Sequence, residues 1–180
     1  MRLINFKPTL ILAAITLMAG AVIFPAITAT SVAAAGADDG DGCRKVQARL
    51  TSMSVTEGCT SPFGCFAGSI SGSGLLNGTF TAVVFGVAPS AGLPELEPVT
   101  KVSVSGERVI TTKSWTLTLH TLTAFDTATG EFDELNQVIG GTGQFAGATG
   151  TLHLFGGATN AELTSFEGNI SGAICLADED

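Results

Sequence analysis

Two histidines, four cysteines and one glycine-rich run are the residues whose types and spacing bear on chemistry. His120 and His153 each lie opposite leucines in strand-like stretches. That alternation admits two readings. Both rings face solvent, or both project into a polar part of an internal cavity as acid–base groups, because imidazole titrates near neutral pH. No close spacing joins the two histidines to a carboxylate as a metal site would require, so no metal is expected. No Gly-x-Ser-x-Gly elbow is present. Asn77-Gly78-Thr79 and Asn169-Ile170-Ser171 are formal glycosylation sequons, relevant only in a eukaryotic secretory pathway.

The cysteines are Cys43, Cys59, Cys65 and Cys175. No Cys-x-x-Cys pair occurs, which disfavours a four-thiolate zinc site. An even number in an exported chain favours two disulfides, and the sequence allows three pairings. Cys59 and Cys65 bracket the turn-prone Thr60-Ser61-Pro62-Phe63-Gly64 and would close a small loop. Cys43 and Cys175 would then join the two ends of the domain. Between leader and domain, residues 36–43 read as a flexible acidic tail. Its Asp38, Asp39 and Asp41 resemble a calcium loop only superficially, since Cys43 falls where an oxygen ligand belongs and no closing Glu follows.

The most distinctive stretch is Ile139-Gly140-Gly141-Thr142-Gly143-Gln144-Phe145-Ala146-Gly147-Ala148-Thr149-Gly150. Gly141-x-Gly143-x-x-Ala146 meets a loose dinucleotide fingerprint. That pattern binds phosphate only between a strand and a helix N-terminus. Here another strand-like run, 149–155, follows. Gly141, Gly143, Gly147 and Gly150 therefore read as structural, with Phe145 poised to enter a core. No nucleotide or other cofactor is expected.

The elements that would position these residues are short β-rich runs between turn residues, with no convincing helical period. Eight are expected: 45–55, 65–73, 78–87, 99–112, 114–125, 131–139, 149–156 and 164–175. Glycine, 23 of 180 residues, permits bulges and strong curvature inside strands. In the last run Phe166, Gly168, Ile170, Gly172 and Ile174 share one face. In the fifth, Trp115, Leu117 and Leu119 share a face, and Leu122 falls out of phase, which suggests a bulge near Thr121. The third is apolar on both faces, with Phe80, Ala82 and Val84 against Val83, Phe85 and Val87, so its outer side calls for a cover. Phe66-Ala67-Gly68-Ser69-Ile70-Ser71-Gly72 recurs as Phe166-Glu167-Gly168-Asn169-Ile170-Ser171-Gly172, consistent with two strands in similar packing near a barrel seam. The Pro-rich stretch 88–98 reads as a semi-rigid rim loop.

The fold class expected is all-β: an eight-stranded antiparallel β-barrel over residues 44–176. Candidate walls of its cavity are Trp115, Leu117, Leu119 and Phe85, joined by His120 and His153 in the acid–base reading.

The N-terminus reads as an export signal, residues 1–35. Arg2 and Lys7 flank a short positive region, residues 10–19 are apolar, and Ala33-Ala34-Ala35 or Ala35-Gly36-Ala37 offers a cleavage site. The alternative is an uncleaved anchor running to about Ile27. About 145 residues then remain, enough for one domain with a sizeable core. The leader takes two of the eight basic residues and none of the sixteen acidic ones, leaving a net charge of about −10. Such a charge opposes binding to nucleic acid or anionic lipid. A secreted or periplasmic protein is expected, free of the membrane after cleavage.

Gly-Gly-Thr-Gly-x-Phe-x-Gly-Ala-x-Gly followed by a strand resembles the signature of the dirigent and allene oxide cyclase-like β-barrel superfamily. The upstream hairpin, Leu122 to Phe132, and the closing Phe166-Glu167-Gly168-Asn169-Ile170-Ser171-Gly172 share the resemblance. It covers residues 100–175 well and 44–90 loosely. It implies an eight-stranded barrel with a central cavity, often a trimer or dimer. Plant members guide phenoxy-radical coupling or cyclise an unsaturated epoxide, but none of their catalytic residues maps onto a position here. The chain looks like a member of that superfamily's secreted bacterial branch.

Three functions follow as expectations: a non-enzymatic barrel holding a small apolar or amphipathic molecule, a dirigent- or cyclase-type catalyst that shapes a hydrophobic substrate, or a structural, surface-associated protein. The glycine reading carries its own test. Added dinucleotide is expected to leave the melting temperature unchanged, because a ligand binding only the folded state must raise it. A saturable upward shift would revive the fingerprint.

Overall fold

The computed structural model describes residues 42–72, 75–89 and 100–177. The leader, most of the acidic tail and most of the 88–98 stretch lie outside the described residues. Eight strands form in chain order: β1 (Cys43–Val55), β2 (Cys65–Gly72), β3 (Gly78–Pro89), β4 (Lys101–Thr112), β5 (Thr116–Asp126), β6 (Glu131–Gly141), β7 (Thr149–Ala158) and β8 (Ser165–Cys175). Each pairs antiparallel with its sequence neighbours, and β1 pairs with β8, so the sheet closes into the expected barrel. Closure leaves no strand edge with unpaired backbone groups.

Alternation fixes what faces inward. Along β1 Val46, Ala48 and Leu50 are buried while Lys45, Gln47 and Arg49 are exposed. On β8 the inward set is the expected one, with Gly168, Ile170 and Ile174 buried. The 66–72 and 166–172 similarity has a simple physical reason. β2 and β8 are the two strands that flank β1, so both meet the same inward residues from opposite sides. Ile70 and Gly168 both oppose Leu50, and Phe66 meets Phe166 edge to face at 5.8 Å.

One expectation about phase needs correction. No bulge occurs at Thr121. β5 keeps its alternation throughout, with Leu122 simply pointing outward at 57 % exposure, and Thr121 and Thr123 turned inward. The register instead shifts where Thr118 and Leu119 oppose Gly140 and Val138, making Ile139 the extra residue on β6. In β3 the shift lies between Val84 and Gly86, and Phe85, already on the outer face, is the extra residue.

One end of the barrel is plugged. A 3₁₀ turn, Gly143–Phe145, carries the Phe145 ring into the core with no exposed surface, beside Leu76, Ile110, Leu117 and Ile174, each equally enclosed. Gly143 makes this turn feasible. Its φ is +56°, and a Cβ there would stand 1.7 Å from the Trp115 ring. The glycine run is thus a turn between two strands, with no helix for a phosphate to meet.

Both expected disulfides form. Cys43–Cys175 ties β1 to β8 where they are paired, and Cys59–Cys65 closes the β1–β2 turn. Among the described residues no cysteine is free.

Phe145→Ala is expected to cost about 3–5 kcal/mol, because a fully enclosed ring is removed. Gly143→Val is expected to destabilise as well, since it combines left-handed strain with the Trp115 clash. Opening Cys43–Cys175, whose partners are 132 residues apart, removes at most about 5 kcal/mol in the chain-entropy view. Urea unfolding of each variant checks these. An unchanged midpoint for Phe145→Ala contradicts the plug.

Candidate functional site

Above the plug, the inward positions change character. Gly68, Gly106, Gly156 and Gly168 take inward positions, and neighbouring atoms crowd each of them too closely for a Cβ. Gly68 is paired with Phe80, and a Cβ on it would lie 1.9 Å from the Thr51 carbonyl oxygen and 2.9 Å from the Phe80 ring. Only a glycine lets Phe80 lie flat over the β2 backbone. A cavity of about 140 Å³ remains between Phe80, Ala82, Val84, Gly106 and Arg108, open at the end opposite Phe145. Its mouth is aromatic. Phe66, Phe125 and Phe132 each meet Phe166 edge to face, with centroids 5.8, 5.9 and 6.1 Å away. Edge-to-face pairs are the favoured geometry for aromatic rings.

A charged pair sits in this apolar wall. Arg108 on β4 and Glu134 on β6 are each 6 % exposed, and both line the cavity. Arg108 Nη1 donates to Glu134 Oε1 at 2.6 Å and to Asn136 Oδ1 at 2.9 Å. Arg108 Nη2 donates to Glu134 Oε2 at 3.3 Å, and the Thr123 hydroxyl donates to the same oxygen at 2.8 Å. The guanidinium carbon lies 5.1 Å from the Phe80 ring centroid, within cation–π range. Gly68 seats Phe80, Phe80 supports Arg108, and Arg108 holds Glu134. Two buried nitrogens in this network, Arg108 Nε and Asn136 Nδ2, have no hydrogen-bond acceptor in the protein.

The residues expected to line a cavity are placed elsewhere. Leu117 and Leu119 point inward but are packed solid below the cavity, with no exposed surface. Phe85 is 56 % exposed on the outer face, the phase that alternation with the inward Phe80 and Val84 gives it. Trp115 lies in the β4–β5 turn at the plugged end, against Gly143. Beside it is a wider, more open depression with Lys113 and Gln144 on its rim. Both histidines face outward, as in the solvent reading. His153 Nε2 is 2.5 Å from Asp133 Oδ1 and His120 Nε2 is 3.8 Å from Glu107. These are exposed pairs, worth at most about 1 kcal/mol each. The acid–base reading of the two histidines fails because their strand phase is that of the outer face.

The polar pair was missed in the sequence, yet it leaves a signal there. Arg108 shares its strand face with Gly106 and Ile110, and Glu134 and Asn136 share theirs with Phe132 and Val138. A charge in the apolar phase of a strand marks an interior group. Two such charges of opposite sign on strands flanking β5 predict a buried pair. Nearer the rim, the backbone N–H of Ala128 donates to Asp126 Oδ1 at 2.9 Å. That bond holds the Asp126 carboxyl below the ordinary aspartate range. Among the described residues no cluster of three His, Cys, Asp or Glu side chains is placed to hold a metal ion.

A buried ion pair is weak support for a fold, because two charges must be stripped of water. Glu134→Leu alone is expected to cost about 3–5 kcal/mol by stranding the guanidinium. The double variant Arg108→Met/Glu134→Leu is expected to regain most of that loss. A double variant as unstable as the single one would mean that the pair is the scaffold of the barrel. No protein-family model, no curated protein and no solved structure matches the chain.

Proposed function

We propose that this is an exported barrel that holds a small apolar or amphipathic molecule in its open-ended cavity. One observation carries the reading: a hydrogen-bonded charge pair set in the wall of a cavity whose mouth is built of phenylalanines. Binding pockets combine apolar walls with a few convergent polar groups in this way. A solid barrel of the same strand number would fill the space with leucine and isoleucine, as the plugged half does.

Export is supported by two disulfides, which persist in oxidising compartments. A secreted or periplasmic location fits them together with the leader-like N-terminus. No described helix is long and apolar enough to cross a membrane.

The second reading is a dirigent- or cyclase-type catalyst that acts by shaping its substrate. It is favoured by the same pair, since a desolvated carboxylate beside a guanidinium can polarise a bound molecule. The resemblance of the glycine turn to that superfamily points the same way. Phe85, Leu122, Leu135 and Phe155 are exposed on the outer face, and a dimer or trimer would cover them.

Native mass spectrometry of protein purified from its own compartment tests the proposal. A retained molecule of low mass is expected, displaced by Ala82→Trp, which puts an indole into the cavity. Turnover of the retained molecule would select the catalytic reading. Protein with no retained molecule, and no affinity for small apolar probes, would leave a structural role.

A further inference from the structure

We infer that the plugged end carries a second binding site, separate from the cavity, that takes a neutral oligosaccharide, with Trp115 as the ring on which a sugar stacks.

The stacking surface is the first observation. Trp115 is the only tryptophan in the chain and stands in the β4–β5 turn, 39 % exposed. The pyrrole end of its indole lies over Gly143, where a Cβ would stand 1.7 Å from Cδ1 and 2.0 Å from Nε1. Trp115 and Gln144 line the neighbouring depression, and Gly143 does not. The ring is thus backed on one face by the plug and open on the other. Its backbone is fixed as well. Thr112 N donates to Trp115 O at 2.9 Å, and Trp115 N donates to Thr112 Oγ1 at 3.1 Å. On the Gly143 side, Thr116 N donates to Thr142 Oγ1 and Thr142 N donates to Thr116 O, each at 2.9 Å. A ring held this firmly loses little freedom when a ligand covers it. Its π face is electron-rich, and the C–H bonds along one face of a pyranose turn positive hydrogens toward it.

The second observation is the polar lining. The depression holds about 610 Å³, within the range of about 300–1,000 Å³ found for ligand pockets. Asn77, Thr79, Thr111, Ser114 and Gln144 stand around it. Thr79 and Thr111 are direct cross-strand partners, both exposed. None of these five side chains makes a hydrogen bond to another described residue. Amides and hydroxyls both donate and accept, which is what the hydroxyls of a sugar require of their partners. An aromatic face beside a set of unengaged amides and hydroxyls suits a ligand that is apolar along one side and hydroxylated around its edge.

Charge narrows the class. Among the described residues no carboxylate lines the depression, and Lys113 is its one charged residue. The net charge of about −10 beyond the leader repels a polyanionic glycan or a nucleotide at long range. A neutral saccharide is indifferent to that field.

With one tryptophan and no tyrosine in the chain, indole fluorescence reports on this ring alone. The test is a fluorescence titration of the protein with maltotriose, cellotriose, laminaritriose, triacetylchitotriose, trigalacturonate and adenosine. At least one of the four neutral trisaccharides is expected to shift the emission saturably, with a Kd on the order of 0.1–1 mM. Trigalacturonate and adenosine are expected to bind about tenfold more weakly than that trisaccharide. The double variant Asn77→Ala/Gln144→Ala keeps the indole and the Phe145 plug. It is expected to weaken the same trisaccharide about tenfold without moving the urea midpoint. Trp115→Ala, followed by calorimetry, is expected to abolish binding, and if that variant does not fold, the double variant decides. The inference is overturned if no neutral trisaccharide gives a saturable change up to about 10 mM. Trigalacturonate or adenosine binding as tightly as the best trisaccharide overturns it too, and so does unchanged affinity in the double variant. None of these outcomes bears on the cavity at the other end.

Discussion

Everything in this molecule depends on the pairing of β1 with β8. Eight strands that follow one another around a sheet have two free edges until the first meets the last. Here they meet over the full run from Cys43↔Cys175 to Met53↔Ser165. Closure converts one face of every strand into an interior, which water then reaches only from the ends. The plug, the cavity and the buried pair are all consequences of that single contact. Without it, Arg108 and Glu134 would sit on a half-solvated sheet and carry no special chemistry.

What fills the interior is then set by side-chain size along each strand. Below, leucine, isoleucine and Phe145 pack to completion. Above, glycine takes inward positions on four strands and the aromatic rings lean over the bare backbone. Of these glycines Gly106 lines the room that remains, beside Ala82, Val84 and the phenylalanine rings. The electrostatics follow from that room. A desolvated guanidinium and carboxylate persist because they satisfy each other, with Thr123 and Asn136 supplying further bonds and Phe80 a π face.

The architecture was legible in the sequence because it is written in two-residue alternation and turn chemistry, both local. All eight strands, both disulfides and the structural role of the glycine run could be read that way. The site was less legible, since it rests on which face becomes the inside and on where the inside is left unfilled. His120 and His153 drew attention as chemistry-bearing types, but their phase is that of the outer surface. Phe85 belongs to a strand apolar on both faces, so hydrophobicity did not mark which of its two faces would turn inward. Arg108 and Glu134 stand out only when each is compared with its own strand neighbours. Leu117 and Leu119 were correctly turned inward, but depth along the barrel axis, which separates plug from cavity, has no local signature.

The disulfide at the seam has a consequence for how the chain finds its fold. Every strand contact except β1 with β8 joins neighbours in sequence, which are quick to form because little loop entropy stands in the way. The seam alone demands that two distant segments meet. With Cys43 and Cys175 joined, the chain between them is a ring before any strand has paired. In a ring no strand is first or last, and the seam becomes one more neighbouring hairpin. An oxidised chain that has been unfolded therefore starts its search without the slowest encounter. A reduced chain, or one still being made, must wait for β8 before it has an inside at all.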